Sequence, residues 1–127
     1  RCNAFSSGNE MRVETNMYTK FEVASDWSFV DTAGTSLVGC IDTGYYSLEK
    51  AFGKPTELVR WPSGDGKVRC EWIIEFFDEL TNTVTMATIY DWKESDTPVD
   101  YVRDWHIGGY TRSALDCVTE VLRLSKI

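Results

Sequence analysis

His106 is the sole histidine of this 127-residue chain, and it stands in the run Asp104-Trp105-His106-Ile107-Gly108-Gly109-Tyr110-Thr111-Arg112. An imidazole oriented by a carboxylate can hold or move a proton near neutral pH. Asp104 and Asp91 are the carboxylates that the reading brings within range. No Ser or Cys lies in a nucleophile motif, so a hydrogen-bonded structural histidine is the stronger reading. Gly108-Gly109-Tyr110-Thr111-Arg112 joins an expected strand to an expected helix. Such a junction presents backbone N–H groups at the positive end of a helix dipole and suits an anion, for example the phosphate of a nucleotide-like ligand. Arg112 would add a charge-assisted contact. A tight turn that needs glycine accounts for the same residues, and neither GxGxxG nor GxxxxGK[ST] occurs. Gly108, Gly109, Tyr110, Arg112 and His106 are therefore the candidate ligand-binding residues.

Four cysteines, Cys2, Cys40, Cys70 and Cys117, form no CxxC pair. With one histidine this disfavours a structural zinc site, and the sequence names no metal and no cofactor. Cys70 on an apolar strand face and Cys117 in a helix suit buried free thiols. That favours a reducing compartment, the cytoplasm. Asp91, Glu94, Asp96, Asp100 and Asp104 gather around one loop. Their spacing matches no EF-hand; they form a solvated acidic loop or face a basic partner. Trp27, Trp61, Trp92 and Trp105, with Tyr90 and Tyr101, are many aromatics for one small domain. Most belong to a core, and one or two are expected in a pocket or dimer interface. Tyr90, Trp92, Asp91 and Trp105 are the candidate interface residues.

These side chains need elements to hold them. The chain is organised around residues 67–93, KVRCEWIIEFFDELTNTVTMATIYDWK, which read as a β-hairpin. Val68, Cys70, Trp72, Ile74 and Phe76 alternate with Arg69, Glu71, Ile73, Glu75 and Phe77, giving one apolar and one mostly charged face. Val84, Met86, Thr88, Tyr90 and Trp92 share a face of the second strand, opposite Thr85, Ala87, Ile89 and Asp91. Its weak polarity contrast suits a central strand covered in part on both sides. Residues 18–24 and 36–41 read as further strands, with Gly39 marking a bulge or a close backbone approach. Asp42 or Thr43 caps a helix over Tyr45 to Phe52, which Gly53 and Pro55 terminate. Residues 102–107 make the last strand, with Trp105 and Ile107 on one face and His106 on the other. Gly108-Gly109 breaks it, and a final helix runs from Ser113 to about Leu124 behind a Ser113-x-x-Asp116 capping box. The expected fold is α+β: a single antiparallel sheet of 4–5 strands around a central hairpin, two helices packed on one face. Residues 1–16 are an extended or flexible arm, and 17–127 a single domain.

Length and composition support a packed core without staples. The net charge of −7 disfavours nucleic acid as a partner. It permits a basic protein partner. No apolar run reaches the length of a membrane span, and no signal-peptide pattern is present.

GTSLVGCI at 34–41, FGKPT at 52–56, ATIYDWK at 87–93 and WHIGG at 105–109 together resemble a family of small uncharacterised proteins from tailed bacteriophages and large DNA viruses. The resemblance covers about residues 30–123 and carries no activity. It implies an accessory viral protein acting in the host cytoplasm. The helix–FG-x-P–strand order is also similar to the small helix-plus-sheet domains of outer-membrane assembly lipoproteins and β-lactamase inhibitor proteins, which is likeness of fold alone. The leading expectation is a non-enzymatic binding protein that engages a host protein or a small, nucleotide-like ligand. Alternatives are a homo-oligomeric structural or assembly subunit, and a small hydrolase using His106 with a carboxylate.

Overall fold

The computed structural model describes residues 19–25, 34–58, 68–92 and 97–125. Among these residues it shows an α+β fold: one open antiparallel sheet with two helices on one face. The strands are β1 Thr19–Val23, β2 Ser36–Asp42, β3 Glu57–Leu58, β4 Cys70–Asp78, β5 Thr83–Tyr90 and β6 Asp104–Gly109. The described helices are α1 Tyr45–Phe52 and α2 Ser113–Ser125, and a 3₁₀ turn covers Val99–Tyr101. The order across the sheet is β1-β4-β5-β6-β2, with the two-residue β3 also pairing β4. The expected hairpin is the centre, β4 against β5 from Glu71↔Tyr90 to Asp78↔Thr83. The expected arm, Trp27, Trp61, Glu94 and Asp96 fall outside the described residues.

The core forms where alternation predicts it. Cys70, Trp72, Ile74 and Phe76 of β4 share a buried cluster with Ala87 and Ile89 of β5 and Trp105 and Ile107 of β6. Leu48 and Phe52 of α1 and Ala114, Cys117, Val118 and Leu122 of α2 close it from the helical side. The Trp72 and Trp105 rings meet edge to face at 5.6 Å. Each indole N–H finds an acceptor, Trp72 at the Gly53 carbonyl (2.9 Å) and Trp105 at the Val102 carbonyl (3.2 Å). Burial of such rings therefore strands no donor.

Four local expectations change. The α1 N-cap is Gly44, with no side-chain cap. Asp42 ends β2 with its carboxylate 3.1 Å from Arg103 Nε, and Thr43 is buried with its N–H on the Arg103 carbonyl, so neither is placed to cap. The Gly108-Gly109 pair does not break β6 but completes it, with Gly108 opposite Thr88 and Leu37 and Gly109 opposite Ala87 and Ser36. Glycine is required there by space. A Cβ at 109 would sit 2.4 Å from Ala114 Cβ, and one at 108 would sit 2.6 Å from Thr88 Oγ1. Residues 57–58, which the expected strands leave out, form a short strand. Cys117 is not a free thiol: it is disulfide-bonded, whereas Cys40 and Cys70 are free. Other marks stand. Gly53 ends α1 with φ +82°, and the β2 register shifts between Leu37 and Gly39. No described helix is long and apolar enough to cross a membrane.

Candidate functional site

Opposite the helices, the other face of the sheet carries Glu71 and Glu75 of β4, Thr88 and Tyr90 of β5 and Asp104 and His106 of β6, with apolar Ile73 buried among them. In an antiparallel sheet, residues directly opposite one another point to the same side, about 4.5–5.5 Å apart at Cβ. Glu57 faces Glu71, Glu71 faces Tyr90, Tyr90 faces His106, and His106 faces Cys40. Five strands thus lay down one row, Glu57–Glu71–Tyr90–His106–Cys40. At the usual strand spacing it runs for about 19 Å. Every member is an ionisable side chain.

Three members of the row, Glu71, Tyr90 and Cys40, resist losing protons. Burial, then Glu57 and Asp91, push the Glu71 carboxyl up to about 7. The Tyr90 phenol is raised by burial first, then by Glu71 and Cys40. The Cys40 thiol is raised by burial and then by Asp104. Negative neighbours and partial desolvation act in one direction at all three. A positive charge or a strong hydrogen-bond donor brought to this face would relieve them.

A cleft of about 250 Å³ opens beside the middle of the row. Tyr90 and Trp92 form an aromatic side, Thr88 and Gly108 lie on the sheet, and Glu71 supplies the carboxyl. Ser36 and Leu37 of β2 bound the cleft on the far side. No lining residue is basic among those described. Trp92 is 38% exposed. Its ring stacks on His106 at 6.0 Å and 20°, and Tyr90 meets His106 edge-on at 5.5 Å. The three rings brace one another, so the imidazole is held in a fixed plane.

Near the β2 end of the row, Cys40 Sγ, a carboxylate oxygen of Asp104 and a ring nitrogen of His106 all lie within 4.8 Å of one another. Cys40 and Asp104 are exposed and His106 is half-buried. These three side chains could hold a metal ion.

The expected site residues separate. His106, Tyr90 and Trp92 come together on the open face. Gly108 joins them as cleft floor, while Gly109 is buried against α2. The amides of both glycines therefore sit within the ladder region rather than in a turn. Tyr110 and Arg112 are exposed beyond it, and at the start of α2 the Thr111 hydroxyl accepts the Ser113 N–H at 3.3 Å.

Trp105 is fully buried in the core, and so is Asp91. Asp91 Oδ1 accepts the backbone N–H of Arg69 (2.8 Å) and of Cys70 (3.0 Å), and Oδ2 accepts Arg69 Nε (3.1 Å). It clamps the entry of β4 to the exit of β5 and offers no surface. Asp104, not Asp91, is the carboxylate near His106. Sequence reasoning did not single out Glu71, Glu57 or Cys40 as site residues. Alternation alone put Glu71 on the charged face, but no local signal set Cys40 beside His106. No family model, curated protein or solved structure matches the chain.

Proposed function

We propose that this protein is a small non-enzymatic binding domain whose ligand sits in the open-face cleft. The ligand is a planar head group carrying N–H donors, the chemistry shared by a nucleobase and a guanidinium. One observation carries the reading: an aromatic wall, Tyr90 and Trp92, stands beside a carboxyl that burial and two acidic neighbours hold near neutrality. Rings supply a stacking or cation–π surface of about 0.5–2 kcal/mol, and Glu71 accepts the donor. At about 250 Å³ the cleft is below the usual range for drug-sized ligands, so it takes a head group rather than a whole nucleotide. With acidic groups around it and no basic side chain among the described lining residues, it disfavours phosphate.

The four-block resemblance supports an accessory protein of a tailed phage or large DNA virus as the context, with a host component as partner. A host-cytoplasmic location belongs to that context. The disulfide at Cys117 weighs instead toward an oxidising compartment.

The test is tryptophan fluorescence and calorimetric titration with adenosine, adenosine monophosphate and N-acetyl-arginine amide. Binding of the nucleoside or the arginine derivative, weaker for the phosphate, and lost in Trp92→Ala and Glu71→Gln, is the expected result. Tighter binding of the monophosphate, or binding unaltered by both substitutions, overturns the reading. So does the absence of binding by all three probes. The arm that binds tells a base from a guanidinium.

A further inference from the structure

Apart from the cleft, the β2 end of the row holds an arrangement that nothing above uses. Cys40 on β2 stands directly opposite His106 on β6. Asp104 precedes His106 by two residues, so both point to the same side of the strand. Sulfur, nitrogen and oxygen donors converge within 4.8 Å. We propose that Cys40, His106 and Asp104 form a three-ligand site for a thiophilic divalent transition metal of the Zn²⁺ class, with its remaining position open to solvent.

Donor types, spacing and charge agree on this. Thiolate, imidazole and carboxylate are the ligands Zn²⁺ takes, and three protein ligands with an open fourth position is the usual form of a non-structural site. Bond lengths of about 2.0–2.3 Å at tetrahedral angles put ligand atoms roughly 3.4–3.6 Å apart. The side chains must therefore close by about 1 Å or so, which exposed Cys40 and Asp104 can do by rotation about their χ angles. His106 is the fixed member, its ring plane set by Trp92 and Tyr90. Support of the imidazole is what sustains affinity at metal sites.

Charge also matches. A thiolate and a carboxylate neutralise a dication, in a chain of net charge −7. On binding, the Cys40 S–H proton passes to buffer as the sulfur–metal bond forms.

The site is tested with Co²⁺ alone, then with Zn²⁺ as competitor, on the full chain in buffer free of chelator and thiol. The expected result is one equivalent of Co²⁺ giving a near-ultraviolet thiolate-to-cobalt charge-transfer band, bleached by one equivalent of Zn²⁺. Cys40→Ser loses the band. Asp104→Asn and His106→Ala each weaken binding by about tenfold or more, at least the loss seen when only a supporting group is removed. Circular dichroism checks that the variants fold, and Cys40 and Asp104, being exposed, tolerate exchange. Absence of a saturable band, or a band unchanged in His106→Ala, overturns the site. Rapid alkylation of Cys40 at neutral pH, slowed in His106→Ala and unaffected by Zn²⁺, overturns it in favour of a nucleophilic cysteine. The cleft ligand relies on Glu71, which is no part of the metal site, so Glu71→Gln separates the outcome of the cleft titrations from this one.

Discussion

Replacing Glu71 by Gln should make the protein more stable at high pH and leave it unchanged at low pH. In the fold its carboxyl titrates at about 7, against an ordinary 4.5. Burial is the main cause, followed by Glu57 and Asp91. Tyr90 faces it across the ladder as a neutral phenol. Below about pH 4.5 the carboxyl is protonated in folded and unfolded chains alike, so it costs nothing. Between about 4.5 and 7 the unfolded chain ionises first, the native state binds more protons, and stability falls as pH rises. Above about 7 the full penalty applies. At 1.36 kcal/mol per pH unit, the difference between about 7 and 4.5 amounts to about 3 kcal/mol. The neutral amide of the Glu71→Gln variant carries no such penalty.

Urea denaturation followed by tryptophan fluorescence at several pH values reads this directly. For an m-value of about 2 kcal/mol/M, the midpoints of wild type and Glu71→Gln should separate by about 1.5 M between pH 4 and pH 8.5. Glu57→Gln should narrow the gap, because Glu57 is the first charged group pushing Glu71 up. Parallel pH curves for wild type and Glu71→Gln would refute the reasoning, and with it the picture of a carboxyl poised near neutrality. A further consequence links stability to the cleft. A cationic ligand bound near Glu71 should expel its proton at about pH 6, detectable as buffer-dependent heat in calorimetry.

Three other outcomes are expected. Asp91→Ala should destabilise by about 3–5 kcal/mol in the same urea assay, since it removes a fully buried carboxylate from the Arg69 guanidinium and two backbone amides. Gly109→Ala should cost about 1–3 kcal/mol, because its Cβ would meet that of Ala114 at 2.4 Å and α2 must lift. In native protein iodoacetamide should label Cys40 and spare Cys70, which is fully buried with its thiol raised by burial and by Asp91. Equal labelling by mass spectrometry before and after unfolding would contradict the burial of Cys70.

Much of the fold was legible because it follows from period. Alternation along residues 68–77 sorted the β4 side chains to the correct faces, and Trp105 and His106 fell on opposite sides of β6 as read. The terminator of α1 was legible because Gly53 takes a positive φ that few residues tolerate. Errors arose where distant packing overrode a local sign. Gly108-Gly109 looks like a break by composition. Its cause is the helix that follows and presses back on the strand, together with a threonine hydroxyl contributed by β5. Asp91 looks like the start of an acidic loop, yet it is the clamp that ties both strands of the hairpin, because Arg69 lies 22 residues earlier in the chain.

The open-face row was invisible for a stronger reason. Each of its members is ordinary within its own segment, and the row exists only through strand order. β2 precedes the hairpin and β6 follows it, yet they pair at the far edge, which brings Cys40 opposite His106. A shift of one residue in that register would turn Cys40 toward α2 and Gly39 toward His106. What holds it is on the other face: Gly39 fits beneath Leu115, where a Cβ would lie 2.6 Å from the leucine Cδ2, and Ile41 faces Trp105 in the core. Packing beneath the helix therefore fixes which side chains meet on the open face. Gly39→Ala should disturb the Cys40–His106 pairing from behind, without touching either residue. Loss of cobalt binding in that variant with the fold retained would show that the two faces of the sheet are one device; unaltered binding would show that the register is held by the backbone ladder alone.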